Sequence, residues 1–148
     1  MNLKYLNLAF EYAEKAFVHG EVPIGAVIVK NNEIIGVGYN VKEEKQSVLA
    51  HAELIAINQA SKKINNWRLD NCDIYVTLDP CPMCASAIKQ ARIKNVFSAC
   101  ENSYTKNFDI LNSIFKKDST NSEVNFTTNL NVEKTKKILS DFFKKQRK

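Results

Sequence analysis

Two short stretches hold residue types that could do chemistry together. One is His51-Ala52-Glu53 and the other is Pro80-Cys81-Pro82-Met83-Cys84. One imidazole and two thiols suit a zinc ion, and three protein ligands leave the fourth tetrahedral position open to water. Cys81 and Cys84 are three residues apart, so on a helix they share a face and both reach one ion. A helix start lowers thiol pKa through its partial positive charge, which favours the thiolate that binds metal. Pro80 suits such a start, because its missing N–H is not needed there. His51 opens a second predicted helix whose buried side would be Leu54, Ile55 and Ile57.

Glu53 lies two residues beyond His51, so on a helical turn it projects in another direction. It can approach a metal-activated water without ligating the metal, take its proton and return that proton to a leaving group. One carboxylate working in both directions suits hydrolytic removal of an amino group. Two plainer readings stand beside this one. A C-x-x-C pair also serves redox chemistry, but that gives His51 and Glu53 no role. A structural zinc would need a fourth ligand, and the candidates His19, Cys72 and Cys100 sit in no paired spacing.

The elements that must position these residues follow from the periodicity. Leu3, Leu6, Phe10, Ala13 and Phe17 recur at three- and four-residue steps, an apolar helical stripe ended by His19-Gly20. Gly25 to Val29 reads as a buried strand. Lys30-Asn31-Asn32-Glu33 is a turn, and Ile34 to Gly38 returns as its hairpin partner, with Gly36 and Gly38 allowing close backbone approach. Val41 to Val48 is predicted to be a polar loop, and the second helix spans about His51 to Ser61. Asn65 to Leu69 is a connection with Trp67 half-buried. Ile74 to Leu78 is a β-branched and aromatic strand that delivers the Cys helix, which runs to about Ala91. Asn95 to Ser98 is a short strand and Phe108 to Phe115 a short helix. Lys116 to Asn129 is a surface loop with an extended piece at Val124 to Phe126. A last helix begins near Val132 and ends in the basic run Lys144-Lys145-Gln146-Arg147-Lys148. This order implies a three-layer α/β/α sandwich on a mixed five-stranded sheet.

The chain has 148 residues, enough for one domain spanning 1–148 with a proper core, the C-terminal helix and basic tail occupying about 131–148. Hydrophobic residues make up 45% and charged ones 25%, a globular balance. No apolar run approaches membrane-spanning length, and the N-terminus lacks a signal-peptide core. Four cysteines, two of them assigned to metal, imply a reducing cytoplasm and not a disulfide scaffold. A net charge of +5 suits a polyanionic partner.

Several stretches together carry a resemblance. Val22 to Val29 resembles the first strand of the bacterial tRNA-specific adenosine deaminases, in the cytidine deaminase-like superfamily. Gly36-Val37-Gly38-Tyr39-Asn40 resembles their G-x-G-[aromatic]-N stretch, and His51-Ala52-Glu53 with Pro80 to Cys84 resembles their zinc site. Asn66-Trp67-Arg68-Leu69 resembles an N-[aromatic]-R-L connection, and Leu139-Ser140-Asp141-Phe142-Phe143 a C-terminal L-S-D-F-F. The last match separates tRNA enzymes from free-base relatives, which share the zinc motif. Two departures stand out. Asp79 replaces the usual Glu before Pro-Cys, and the stretch from Cys100 to Asn107 lacks the usual Gly.

The resemblance implies a cytoplasmic hydrolase that converts adenosine to inosine at the wobble position of a tRNA anticodon. It implies one zinc per subunit on His51, Cys81 and Cys84, Glu53 as the proton carrier, and Asn40 as a contact to the flipped base. Phe143 and the basic tail would face the anticodon stem-loop, in a homodimer whose RNA site is completed across the interface. Two alternatives remain: a zinc deaminase of a free base or nucleoside such as guanine or cytosine, and a non-catalytic zinc-stabilised RNA-binding module.

Overall fold

A computed structural model describes residues 1–103 and 108–146. The first helix, α1 (Leu3–Val18), is capped by Asn2, whose side chain accepts the Lys4 N–H, and it ends at His19. Its buried stripe is Tyr5, Leu6, Ala9, Phe10, Ala13 and Ala16, whereas Leu3 is exposed at the open first turn. A hairpin follows, β1 (Gly25–Lys30) and β2 (Glu33–Tyr39). Its two-residue turn puts Asn31 and Asn32 at φ 50° and 62°. That is the left-handed pair a tight hairpin needs, and Asn tolerates it best after Gly.

Then come α2 (Lys42–Lys45), α3 (Ala52–Ile64), β3 (Cys72–Val76), α4 (Pro82–Gln90), β4 (Asn95–Ser98), α5 (Phe108–Phe115), β5 (Asn125–Thr127) and α6 (Val132–Gln146). The five strands form one sheet in the order β2-β1-β3-β4-β5. β1 pairs antiparallel with β2 and β3, while β3–β4 and β4–β5 are parallel. The sheet is mixed because a hairpin opens it and helical crossovers continue it.

Alternation along the strands feeds two cores. Val27, Val29 and Tyr75 face α1, against Leu6, Ala9 and Phe10. Ala26, Ile28, Ile74 and Val76 face the opposite way, onto residues of α3, α4 and α5 including Ala56, Ile88 and Leu111. Phe142 of α6 meets Phe17 of α1 edge-on at 5.9 Å, which seats α6 on the α1 side. The architecture is the α/β/α sandwich read from the sequence.

Several local expectations change. The buried side of α3 is Ala52, Glu53, Ala56 and Ala60, and the larger Leu54, Ile55 and Ile57 are only partly covered. Gly36 and Gly38 explain this: a Cβ at Gly36 would strike the Ala56 carbonyl, and one at Gly38 the Ala52 carbonyl. Helix and strand sit so close that only small residues fit between them. The Val41–Val48 loop contains α2, and the second helix extends to Ile64. β3 begins at Cys72 and ends at Val76, earlier than its β-branched run suggested, because its partner strand β1 starts at Gly25 and its ladder ends with Ala26↔Val76. Trp67 is 59% exposed and lies under the Arg68 guanidinium, 5.4 Å from the ring centroid, so cation–π contact replaces burial. The 104–107 part of the atypical segment and the last two residues of the basic tail lie outside the described residues.

Candidate metal centre and active-site cleft

Two helix starts converge on one side of the sheet. His51 is the N-cap of α3 and Cys81 the N-cap of α4; both are extended (φ −85°, ψ 148° and φ −69°, ψ 166°), and neither side chain caps its own helix. Polar side chains at an N-cap normally turn back onto the helix. These two are turned elsewhere, toward each other. Pro82, not Pro80, occupies the first helical position of α4, so Cys81 sits at the mouth of the helix and Cys84 in its first turn.

His51 Nδ1 is 3.8 Å from Cys81 Sγ and 3.4 Å from Cys84 Sγ. Ligand atoms of all three residues lie within 4.8 Å of one another, a group that could hold a metal ion. A tetrahedral zinc with ordinary Zn–S and Zn–N lengths has ligand–ligand edges of about 3.5–3.8 Å. The donor set and its spacing therefore fit zinc.

Glu53 points into the same space and is 3% exposed. Burial pushes its carboxyl up to about 7; its own backbone N–H holds it back, and the neighbouring Cys81 charge adds to the rise. The Cys81 thiol is drawn down to about 5, chiefly by the hydrogen bond from Cys84, with the Cys84 and Met83 N–H groups and His51 helping. The Cys84 thiol moves up, because it donates to Cys81 and is buried. The three groups thus split into one ready anion, one held proton and one carboxyl poised near neutrality.

A cleft of about 580 Å³ opens over these residues. Asn40, His51, Glu53 and Cys81 line it, and Phe142 and Phe143 of α6 form its opposite wall. Asn40 Oδ1 accepts the Ala52 N–H at 2.9 Å. The Asn40 amide therefore presents its NH₂ as the end available for donation. Phe143, 37% exposed, is shared with a smaller neighbouring cleft of about 310 Å³ that carries Lys136, Ser140 and Lys144.

Asp79 also lines the main cleft and is 5% exposed. Its Oδ1 accepts the Thr128 hydroxyl at 2.5 Å, and burial raises its pKa against the pull of Ser98 and Thr128. The sequence brought together the metal residues, Glu53, Asn40 and Phe143. It did not point to Glu21, Lys42 or Glu43, which complete the wall beside Asn40. Glu21 carried no readable signal, because its partners lie 22 and 23 residues further on.

The mixed five-stranded sheet with its flanking helices is the fold of the cytidine deaminase-like deaminases. The family description that matches, over residues 2–147, is that of the MafB19-like deaminases, and the chain belongs to that family. It is 40% identical over 144 residues to a tRNA-specific adenosine deaminase of Aquifex aeolicus (strain VF5), covering 97% of this chain and 94% of that one. A structure from studies of A-to-I editing by tRNA:A34 deaminases at the wobble position of transfer RNA superposes with a TM-score of 0.80. It is 30% identical and covers 93% of this chain and 100% of that one. The guanine deaminase of Bacillus subtilis is 31% identical at a TM-score of 0.68, covering 100% of this chain and 96% of that one. Deaminases of this kind use zinc, in keeping with the His51, Cys81 and Cys84 group. Among the described residues, no helix is long and apolar enough to cross a membrane.

Proposed function

We propose that this chain hydrolyses adenosine to inosine at the wobble position of a tRNA anticodon. The observation that carries the reading is the pairing of Glu53, buried with its carboxyl near 7, with the His51–Cys81–Cys84 group at the base of one cleft. Similarity to tRNA-specific adenosine deaminases along nearly the whole chain supports it. His51, Cys81 and Cys84 would hold the metal. Zinc bound there would supply Lewis acidity, which lowers the pKa of a water to about 7.

Glu53 takes a proton as water adds to C6 of adenine, then gives one to the exocyclic nitrogen, which leaves as ammonia. A carboxyl near neutral pKa serves both transfers, since neither direction is steeply uphill. Asn40, its oxygen fixed on α3, donates from its NH₂ to an acceptor on the purine edge. Phe143 supplies an aromatic face at the rim, and Lys136 and Lys144 beside it suit the backbone of flanking nucleotides. An anticodon loop already offers unstacked bases, so the cost of presenting one is small.

The chain works in the cytoplasm as a homodimer in this reading. The exposed Val48 and Leu49, 68% and 60% accessible on the loop that follows α2, supply apolar surface for a second copy. A second reading, deamination of a free base, is favoured by the similarity to a guanine deaminase.

The deciding experiment is a single-turnover assay on two anticodon stem-loops differing only by A or C at the wobble position, with free guanine and cytosine alongside. Inosine in the A-bearing RNA alone is the expected result. Turnover of a free base with unchanged RNA would replace this reading with the second one. Zinc-loaded protein that turns over nothing would leave an RNA-binding module.

A further inference from the structure

Glu21 is a buried carboxylate that the reaction does not use. It sits between α1 and β1, is 3% exposed, and lines the main cleft. Its Oε1 accepts the Glu43 N–H at 3.0 Å and its Oε2 the Glu44 N–H at 2.8 Å. Both oxygens are committed to the first turn of α2.

That turn has little else to hold it. Its N-cap is Val41, which offers no side-chain cap, and none of its four residues is buried. A single turn of helix does not persist in water by itself, since nucleation costs more than one or two hydrogen bonds return. The Val41 N–H closes the base of the loop on the Ala50 carbonyl at 3.1 Å. Beside the buried Val41 at its N-cap, Glu21 is, among the described residues, the side chain that hydrogen-bonds the turn to the body of the protein. Lys42 and Glu43 of the turn in turn form the cleft wall beside Asn40.

We propose that Glu21 is a positioning residue that clips the 42–45 turn into the cleft wall and so sets affinity for the substrate RNA, without touching the reacting atoms. The inference rests on the function proposed above. A carboxylate is the group the position requires: two backbone donors converge on it, and a glutamine would turn an NH₂ toward one of them.

The test uses zinc-loaded full-length protein carrying Glu21→Gln or Glu21→Leu. Amide exchange at Glu43 and Glu44 should accelerate at least about tenfold in Glu21→Leu and by less in Glu21→Gln, in line with loss of charge-assisted bonds, while α3 amides keep their rates. On the A-bearing stem-loop KM should rise about tenfold in Glu21→Leu and by less in Glu21→Gln, with kcat within about twofold and zinc content unchanged. Unchanged exchange at Glu43 and Glu44 would overturn the clip. Faster exchange with unchanged KM, or a fall confined to kcat, would overturn its role in affinity. If the wild-type protein leaves the stem-loop unreacted, the proposed function falls first, and with it the role in affinity, while the exchange rates still decide the clip.

Discussion

Asn40 Oδ1 accepts the Ala52 N–H at 2.9 Å, so the residue that follows β2 caps the helix that carries Glu53. The strand end and the metal-bearing helix start are thereby fixed to each other. The two ends of the Asn40 amide have different tasks, and two substitutions separate them. Asn40→Asp keeps the accepting oxygen and should melt within a degree or two of the parent. Asn40→Ala removes the cap and should lose about 1 kcal/mol, or ~3 °C in Tm. Both lack the NH₂ donor, so both should lose on the order of 10- to 100-fold in kcat/KM on the stem-loop. An aspartate variant as active as the parent would remove the amide from substrate binding.

Glu53 and Cys81 pull the pH dependence of stability in opposite directions. In metal-free protein the Glu53 carboxyl titrates near 7, against 4.5 when exposed. Between those values the unfolded chain has released a proton that the folded chain keeps, so this group weakens folding as pH rises. Cys81 titrates near 5 in the fold, against 9.0 when exposed, so between those values it strengthens folding as pH rises. The two oppose each other from about 5 to 7, and only Cys81 acts above that. Urea unfolding of chelated protein should give a nearly level profile from pH 5 to 7 and a climb beyond it. Glu53→Gln should start the climb near pH 5. It should also cost about 10²- to 10⁴-fold in kcat while zinc content stays the same. A parent profile that already climbs from pH 5 would mean that Glu53 is ionised there.

Much of the fold was legible because its signals are local. The apolar run of β1, the period of α1 and the Asn31-Asn32 turn each follow from neighbours in the chain. The metal group was legible because ligand chemistry restricts residue types so tightly that spacing sufficed. What was not legible depends on partners far along the chain. Ala52, Ala56 and Ala60 looked less like a buried face than Leu54 and Ile57 did, until Gly36 and Gly38 were laid against them. The α2 turn depends on Glu21, which no periodicity announces. The half-burial expected of Trp67 does not occur: the ring is exposed, with the Arg68 guanidinium above it.

Lys89 is another long-range feature without a sequence signal. The residue is buried, 7% exposed, on the far end of the Cys-bearing helix. It donates to the Ile114 carbonyl at 2.8 Å and the Lys116 carbonyl at 2.6 Å, closing the C-terminal end of α5, with Asp118 at 3.5 Å. A cation there satisfies helix-end carbonyls and the negative end of the dipole together. Lys89→Met keeps the aliphatic stem and strands both acceptors, which should cost about 2 kcal/mol and lower Tm by ~5 °C. Activity at 25 °C and zinc content should not change, because α4 keeps its N-terminal turn. A loss of metal in this variant would show that the two ends of α4 are coupled.

Gly38 sets how closely the metal-bearing helix approaches the sheet. A Cβ added there would meet the Ala52 carbonyl, with the Ala56 nitrogen at 3.0 Å and the Ile55 Cβ at 3.1 Å. Two of those contacts are backbone atoms of α3, which no rotamer change can move aside. Gly38→Ala must therefore displace the start of α3, and with it His51, Glu53 and the Asn40 cap. The overpacking should cost about 1–3 kcal/mol. A sub-ångström shift of His51 also spoils a tetrahedral ligand set, so zinc affinity and kcat should fall together. Gly20 gives the contrasting variant. It has φ +75° but nothing within 4 Å of an added Cβ, so Gly20→Ala should carry only the backbone cost of about 1–2 kcal/mol. Zinc titration of both proteins separates the effects. Weakened zinc in Gly38→Ala with unchanged zinc in Gly20→Ala is the expected pair. Equal zinc affinity in the two would show that the α3 start accommodates a methyl group without moving its ligand.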